Sequence, residues 1–307
     1  MFFPLLLMLN LPVLWRFARP HTLYGTSASV LGLYLLAGFV AEGSREQLLL
    51  GLPSLLLAWV ACLAANIYIV GLNQLTDIEI DRINKPHLPL AAGSLTWVEG
   101  VGIVSVCGVG SVLLAATGIP YLLLTVLLSN GIGTAYSLPP LRLKRFPLLA
   151  SACIYCVRGL IVNLGLYSHF QQLLQARVEL SVPIVLLTGF MSIFGLVIAL
   201  YKDIPDMEGD RKFAIATFSL RFGQERISTF CIGILACCYL GLIGLGIGLL
   251  PVQNSIWLLT GHVLGLIILL GYGIRLDLTR REAIVNYYQL IWKLFYLEYL
   301  LYPWAFL

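Results

Sequence analysis

Two stretches concentrate groups able to do chemistry in a chain that otherwise avoids charge: "GLNQLTDIEIDRINKPHLPLAAG" at 71–93 and "YKDIPDMEGDRKF" at 201–213. Asn73, Asp77 and Asp81 stand at i, i+4 and i+8, and Asp203, Asp206 and Asp210 at i, i+3 and i+7. If a helix runs through each stretch, each set lines one face. Carboxylates converging beside a low-dielectric region repel one another. A hard divalent cation relieves that repulsion, and Mg²⁺ typically binds one or two carboxylates together with water and phosphate oxygens. Arg82, Lys85, Arg142, Lys144, Lys202, Arg211 and Lys212 lie beside or opposite the acids. Acids alone suggest a cation site; acids with Lys and Arg suggest a metal-bound polyphosphate whose remaining oxygens the cations hold. No phosphate-cradling P-loop pattern occurs, so a nucleotide site is not supported.

The elements that must position these groups follow from composition. Of 307 residues, 59% are hydrophobic and 11% charged, against about 25% charged in soluble domains. The chain reads as all-α and polytopic, one membrane domain over residues 1–307, because no polar linker divides it. Apolar runs of about 20 residues, the length that crosses a bilayer, fall near 22–41, 50–76, 96–116, 118–137, 147–169, 181–202, 227–249, 254–274 and 285–306. The expectation is about nine spans. With the N-terminus inside, Arg16, Arg19, Arg82, Lys85, Arg142, Lys144, Arg145, the basic cluster from Lys202 to Arg226, Arg275, Arg280 and Arg281 share one side, and the opposite loops hold Arg45 and Arg177. The positive-inside rule therefore puts the N-terminus and both acidic stretches on the cytoplasmic side.

Other features exclude function classes. A net charge of +4, with no basic tract carrying interleaved aromatics, gives no case for nucleic acid. The seven cysteines fall inside apolar runs, so Cys153 and Cys156 read as core residues rather than a redox or metal pair. The first 22 residues carry neither a secretory signal nor an Arg/Ser-rich leader, from which either a bacterial source or a removed leader is expected. One acidic loop at a membrane boundary is usually solvated surface. Two on the same side, each mixed with cations, point to function. A secondary transporter is the competing class, but it would place its acids near the midplane of broken helices. Diphosphate chemistry beside lipid points to an isoprenyl diphosphate as the ligand.

"NQLTDIEID" has the form NxxxDxxxD and "DIPDMEGD" the form DxxDxxxD. Together they resemble the two aspartate-rich motifs of the UbiA superfamily of intramembrane aromatic prenyltransferases. "DRINKPHLPLAAG", "WRFARPHTLYGT", "GTAYSLPPLRLKRFPLLA", "VRGLIVNLG" and "YQLIWKLFYLEYLLYP" are similar to its homogentisate prenyltransferase group of tocopherol (vitamin E) biosynthesis. The resemblance implies a UbiA-like helical bundle. It also implies transfer of a prenyl group, here phytyl from phytyl diphosphate, to homogentisate with decarboxylation; geranylgeranyl and solanesyl diphosphate and other phenolic acceptors are the alternatives. In that reaction Asp77, Asp81, Asp203, Asp206 and Asp210 would hold Mg²⁺ on the departing diphosphate, and neutral Asn73 would position water or phosphate without adding repulsion. Tyr136 and one of Arg142, Lys144 or Arg145 would take the parts of the tyrosine and lysine that help hold the diphosphate in relatives. Arg19, Lys85, Lys202 and Arg211 are further substrate-binding candidates. Arg158 and Asn163, polar groups in the middle of an apolar span, are candidates for the diphosphate or the acceptor carboxylate. His21 reads as an interfacial histidine with a general-base role as the alternative, and Lys293 and Glu298 as a structural pair about one helical turn apart.

Overall fold

The computed structural model describes residues 10–40, 45–249 and 252–305. The first nine residues, and with them part of the leader question, lie outside the described residues, as do the ends of the runs at residue 41 and residue 306. Fourteen α-helices follow in order among the described residues. Short α1 (Leu11–Phe17) and α2 (Pro20–Val40) open the chain, and α3 (Arg45–Leu50) leads into α4 (Leu52–Thr76). A one-residue break separates α5 (Ile78–Asn84), which precedes α6 (Trp97–Ala116) and α7 (Pro120–Ser137). Then come α8 (Pro147–Gln175), wound as a π-turn over Tyr155–Ile161, and α9 (Val182–Tyr201). Short α10 (Met207–Lys212) and α11 (Phe218–Phe222) precede α12 (Gln224–Leu249), α13 (Val252–Ile274) and α14 (Arg281–Ala305). No strand occurs among the described residues.

Helices are the necessary choice for such a chain, because backbone groups in lipid must be satisfied within their own segment. Seven of them are long and apolar enough to cross a membrane: α2, α4, α6, α8, α9, α12 up to Leu245, and α13 from Ile256. The expected nine spans are therefore not confirmed as a number, since α7 and α14 fall outside that set. Both carry more polar residues, and both use them inward: Thr125, Ser129 and Asn130 of α7 and Glu298 of α14 are buried. All seven cysteines are free.

Packing order explains where the cavity lies. Helix α2 packs on α4, α8 and α14; α4 on α7; α7 on α8; α8 on α9; and α9 on α14, closing a ring. Helices α6, α12 and α13 pack outside it, α6 against α4 and the other two as a pair between α9 and α14. Every helix of the ring sends side chains into one cavity, and among the described residues the three outer helices send none.

Glu298 does not pair with Lys293. It is fully buried on the side of α14 that meets α12 and α13, where its Oε2 lies 3.1 Å from His262 Nε2 and its Oε1 accepts from the Tyr239 hydroxyl at 3.2 Å. Five residues along a helix amount to 500°, which turns Lys293 away from Glu298, whereas α12 and α13 present partners directly. Truncating one member leaves the others unpaired in an apolar surrounding. Glu298→Ala should therefore cost about 2–4 kcal/mol, and Glu298→Gln much less. Thermal midpoints in detergent test this, and an unchanged midpoint for the Ala variant would show that the network adds nothing.

Candidate active site

The connections after α4, α7 and α9 converge with the α1–α2 junction at one end of the bundle. Neither acidic stretch is one continuous helix. Helix α4 stops at Thr76, Asp77 takes φ −124° and ψ 18°, and α5 starts anew. Helix α9 stops at Tyr201, and α10 begins after Asp206. The acids nevertheless converge, because short helices α5 and α10 pack on each other. Asn73, Asp77, Asp81, Asp203, Asp206 and Asp210 all line the mouth of the cavity.

Most of these acids already hold a cation. Asp77 Oδ1 accepts from Lys144 Nζ and, at 3.1 Å, from Arg142 Nη2, while its Oδ2 accepts from Asn73 Nδ2 at 2.8 Å. Lys85 pairs with Asp206, and Lys202 with Asp203. Tyr136, also on the cavity wall, hydrogen-bonds Lys202. Arg19 stands 3.8 Å from Asp81 and donates to Asn73 Oδ1 at 3.4 Å. The sequence left the choice among Arg142, Lys144 and Arg145 open; here Lys144 enters the cavity lining, Arg142 reaches Asp77 from behind it, and Arg145 is exposed. Arg19 and Arg142 reach these positions with left-handed backbone, φ 52° and 37°, which costs roughly 1–2 kcal/mol for an L-residue. The contacts to Asn73, Asp77 and the Thr76 carbonyl offset that strain.

Two acids remain without a full set of partners. Asp81 Oδ2 is buried and accepts no hydrogen bond. Asp210 has neither an ion pair nor a side-chain hydrogen bond among the described residues. Burial, then the neighbouring Asp206 and Asp203 charges, push the Asp210 carboxyl up to about 7. Burial raises Asp81 as well, against the pull of Arg19 and Lys85. Lys144 is lowered by burial, which Asp77 opposes. Among the described residues no three His, Cys, Asp or Glu side chains form a ready-made metal cage. The orphaned Asp81 oxygen and the unpaired Asp210 do fit a hard cation, provided that it takes its other ligands from phosphate oxygens and water. Five carboxylates and five cations leave this mouth formally neutral, so a metal and an anion can enter together without building up charge.

Below the mouth the walls become apolar, with Ile69, Val126, Ile154, Val157 and Leu166 among them. His21, in the first turn of α2, is on this wall, its ring edge-on to Trp292 at 5.2 Å and to Tyr288 at 6.4 Å. Arg158 is there too, over the Trp292 ring at 4.6 Å from its centroid. Two candidates besides Arg142 are not brought to the cavity. Asn163 is wholly buried inside the bundle, where its amide donates to the carbonyls of Arg158 and Gly159 and accepts from the Tyr299 hydroxyl. Widening a helix to a π-turn misaligns carbonyls, and this amide satisfies two of them. Arg211 is exposed and faces a separate surface cleft with Lys212 and Arg281, because α10 turns Asp210 inward and the next residue outward.

Residues that the acid and base motifs did not flag also shape the site. Tyr288, Trp292, Phe295 and Tyr299 form an aromatic stripe on α14, at i, i+4, i+7 and i+11, a spacing readable in the sequence as one helix face. Asn84 Oδ1 accepts from Gly209 N at 2.9 Å and ties α5 to α10; no local signal marks a bond across 125 residues.

The family model for the UbiA prenyltransferase family matches residues 30–295. The homogentisate phytyltransferase of Synechocystis sp. is 45% identical over 298 residues, covering 97% of this chain and 96% of that protein. The chloroplastic homogentisate solanesyltransferase of Arabidopsis thaliana is 38% identical, over 94% of this chain and 75% of that protein. A UbiA homologue from Archaeoglobus fulgidus, solved bound to GPP and Mg²⁺, has the same fold at a TM-score of 0.64 and 17% identity, covering 96% and 99% of the two chains. A multi-pass helical membrane protein with both aspartate motifs at the mouth of one cavity, matched over most of its length, this chain belongs to the UbiA prenyltransferase family.

Proposed function

We propose that the protein transfers a phytyl group from phytyl diphosphate to homogentisate, releasing diphosphate and CO₂ and giving a methyl-phytylbenzoquinol. The observation that carries the reading is a mouth of interleaved carboxylates and cations above an apolar cavity, in a chain 45% identical to a homogentisate phytyltransferase. The allylic C–O bond breaks, its electrons leave with the diphosphate, and a ring carbon of the quinol bonds to the allylic carbon. The side-chain carboxylate departs as CO₂, and the methylene left behind takes up one proton while the ring gives one up.

Asp77, Asp81, Asp203, Asp206 and Asp210 are the residues that would hold Mg²⁺, with Asn73 beside them. Bound there, it supplies neutralisation of the departing diphosphate as a Lewis acid. Lys85, Lys144 and Lys202, with Arg19 and Arg142, serve the same anion by donating to phosphate oxygens once these compete with the carboxylates for their N–H groups. Tyr136, bonded to Lys202, fixes that ammonium. The apolar walls take the prenyl chain and keep water from the allylic cation, which water would otherwise trap as an alcohol. The N-terminus and the cavity mouth lie on the cytoplasmic side, as the basic loops require, and the whole chain acts as one domain.

The test uses membranes expressing the chain, supplied with Mg²⁺, phytyl diphosphate and carboxyl-labelled homogentisate. Labelled CO₂ and a lipid-soluble quinol should appear together. Excess EDTA should lower both at least about 100-fold, with recovery on adding Mg²⁺. Activity that persists in EDTA removes the metal from the reading; product from geranylgeranyl or solanesyl diphosphate alone moves the donor to that of relatives such as the solanesyltransferase.

A further inference from the structure

Five cations at the mouth each contact a carboxylate or its hydrogen-bonded neighbour, but Arg158 has no acid at all. Among the described residues it forms no ion pair, and its only ring contact is the cation–π stack on Trp292. It lines the cavity, and none of its nitrogens is among the buried atoms lacking a partner, so the guanidinium faces the open space. A guanidinium stays charged at any working pH. Holding one in the middle of an apolar span without a counter-charge is costly, and an anion arriving with a substrate would remove that cost.

The surrounding backbone is built to present this side chain. The π-turn over Tyr155–Ile161 contains Arg158 near its centre, and such turns concentrate at functional sites. Asn163 satisfies the carbonyls that the turn displaces, and Tyr299 holds Asn163 at 2.9 Å. Gly159 lets α9 approach; a Cβ there would stand 2.5 Å from the Ser192 Cα. Trp292, which carries the guanidinium, is itself edge-on to Phe295 and His21.

Position separates two possible anions. Arg158 lies eleven residues into α8, about 16 Å along the axis from the loop that carries Lys144. The mouth already offers Lys85, Lys144, Lys202 and Arg19 to a diphosphate, with Arg142 behind Asp77. The neighbours of Arg158 are instead aromatic: Trp292 at 4.6 Å, with Tyr288 and Tyr299 of the same stripe on the cavity wall and His21 against Trp292. Aromatic edges and faces beside a planar guanidinium match an aromatic ring bearing a carboxylate.

We infer that Arg158, over the Trp292 ring, binds the side-chain carboxylate of the aromatic acceptor and holds its ring in the cavity beside the α14 stripe, below the diphosphate. This rests on the acceptor being an aromatic acid, as in the proposed function, and adds the residue that selects it. Asn163 and Tyr299 are positioning residues that keep the π-turn in place.

The experiment compares homogentisate with its methyl ester, which keeps the quinol ring and loses the charge, in membranes supplied with Mg²⁺ and phytyl diphosphate. The wild-type chain should favour the free acid in kcat/KM by about tenfold or more. Arg158→Ala and the bulkier neutral Arg158→Gln should raise the KM for homogentisate roughly 10–100-fold and erase the preference, with the KM for phytyl diphosphate within about twofold of wild type. Arg158→Lys should retain part of the preference. Equal losses on acid and ester would make Arg158 structural, and a raised KM for phytyl diphosphate with acid preference intact would assign it to the diphosphate. Either result overturns the inference. Wild-type membranes that give no product from homogentisate sink the acceptor reading itself, whereas product formed without acid preference sinks the carboxylate site alone.

Discussion

Asp81→Asn is expected to lower prenyl transfer by about 10³-fold while leaving the metal-free protein at least as stable as the parent. The two halves of this result have different causes. A carboxylate that holds the metal on a departing diphosphate stabilises charge present only as the bond breaks, and losing one such group costs about 10²–10³-fold in related electrostatic cases. For stability, burial lifts the Asp81 carboxyl above its ordinary value. A raised carboxylate pKa means that the folded state resists ionisation, so at neutral pH the charge works against folding. Its Oδ2 accepts no hydrogen bond, and an amide of the same shape removes the charge without breaking a bond there. Asp77 offers no such separation. Lys144 and Arg142 both donate to it, and breaking a buried pair is destabilising in itself. Product formation and a thermal midpoint measured on the same purified variant decide the matter. Retained activity would remove Asp81 from the metal's ligands, and a large drop in midpoint would make its role structural.

The long helices were legible because each needs about 20 apolar residues, and the runs in the chain match the observed helices to within a few residues, apart from α8. There the apolar run ends near 169, but the helix continues to Gln175, because Tyr167, His169 and Gln171 bury their polar side chains against neighbouring segments. The chemistry at the mouth was legible in type and not in arrangement. The spacing aligned the acids on one face only if a helix ran through each stretch, and each is broken where a carboxylate turns towards a cation from elsewhere in the chain. Lys144 reaches Asp77 across 67 residues, and Lys85 reaches Asp206 across 121. Arg82, by contrast, takes a local partner, the exposed Glu79 three residues earlier, at 2.5 Å. Asn163 was read as a ligand because a polar residue in mid-span needs a partner. It has three, all protein groups, supplied by a π-turn that no hydrophobic period announces. Arg211 shows the converse, adjacent in sequence to an inward acid and itself turned outward.

Breaking the contact between the two acid helices should lower kcat/KM about 100-fold without unfolding the bundle. Asn84 closes α5, is buried, and accepts from Gly209 N, while its carbonyl accepts from Arg281. Asp81 and Lys85 stand three before and one after Asn84; Asp206 and Asp210 stand three before and one after Gly209. A shift at this single bond therefore moves both sets at once, and a misplacement of about 1 Å can cost about 10²-fold. A Cβ on Gly209 would stand 2.6 Å from both side-chain polar atoms of Asn84. Gly209→Ala should push the Asn84 amide aside and cost less than Gly209→Val, whose branched side chain leaves it no room. Asn84→Ala removes the acceptor outright and should match the Val variant. In all three the long helices keep their contacts, so helical content and membrane insertion should stay at wild-type values while the Mg²⁺ concentration for half-maximal rate rises. Activity in the order wild type, Gly209→Ala, then the other two, at constant helicity, would mean that α5 and α10 act as one clamp. Full activity in Asn84→Ala would mean that the Lys85–Asp206 pair holds the two acid loops together without this bond.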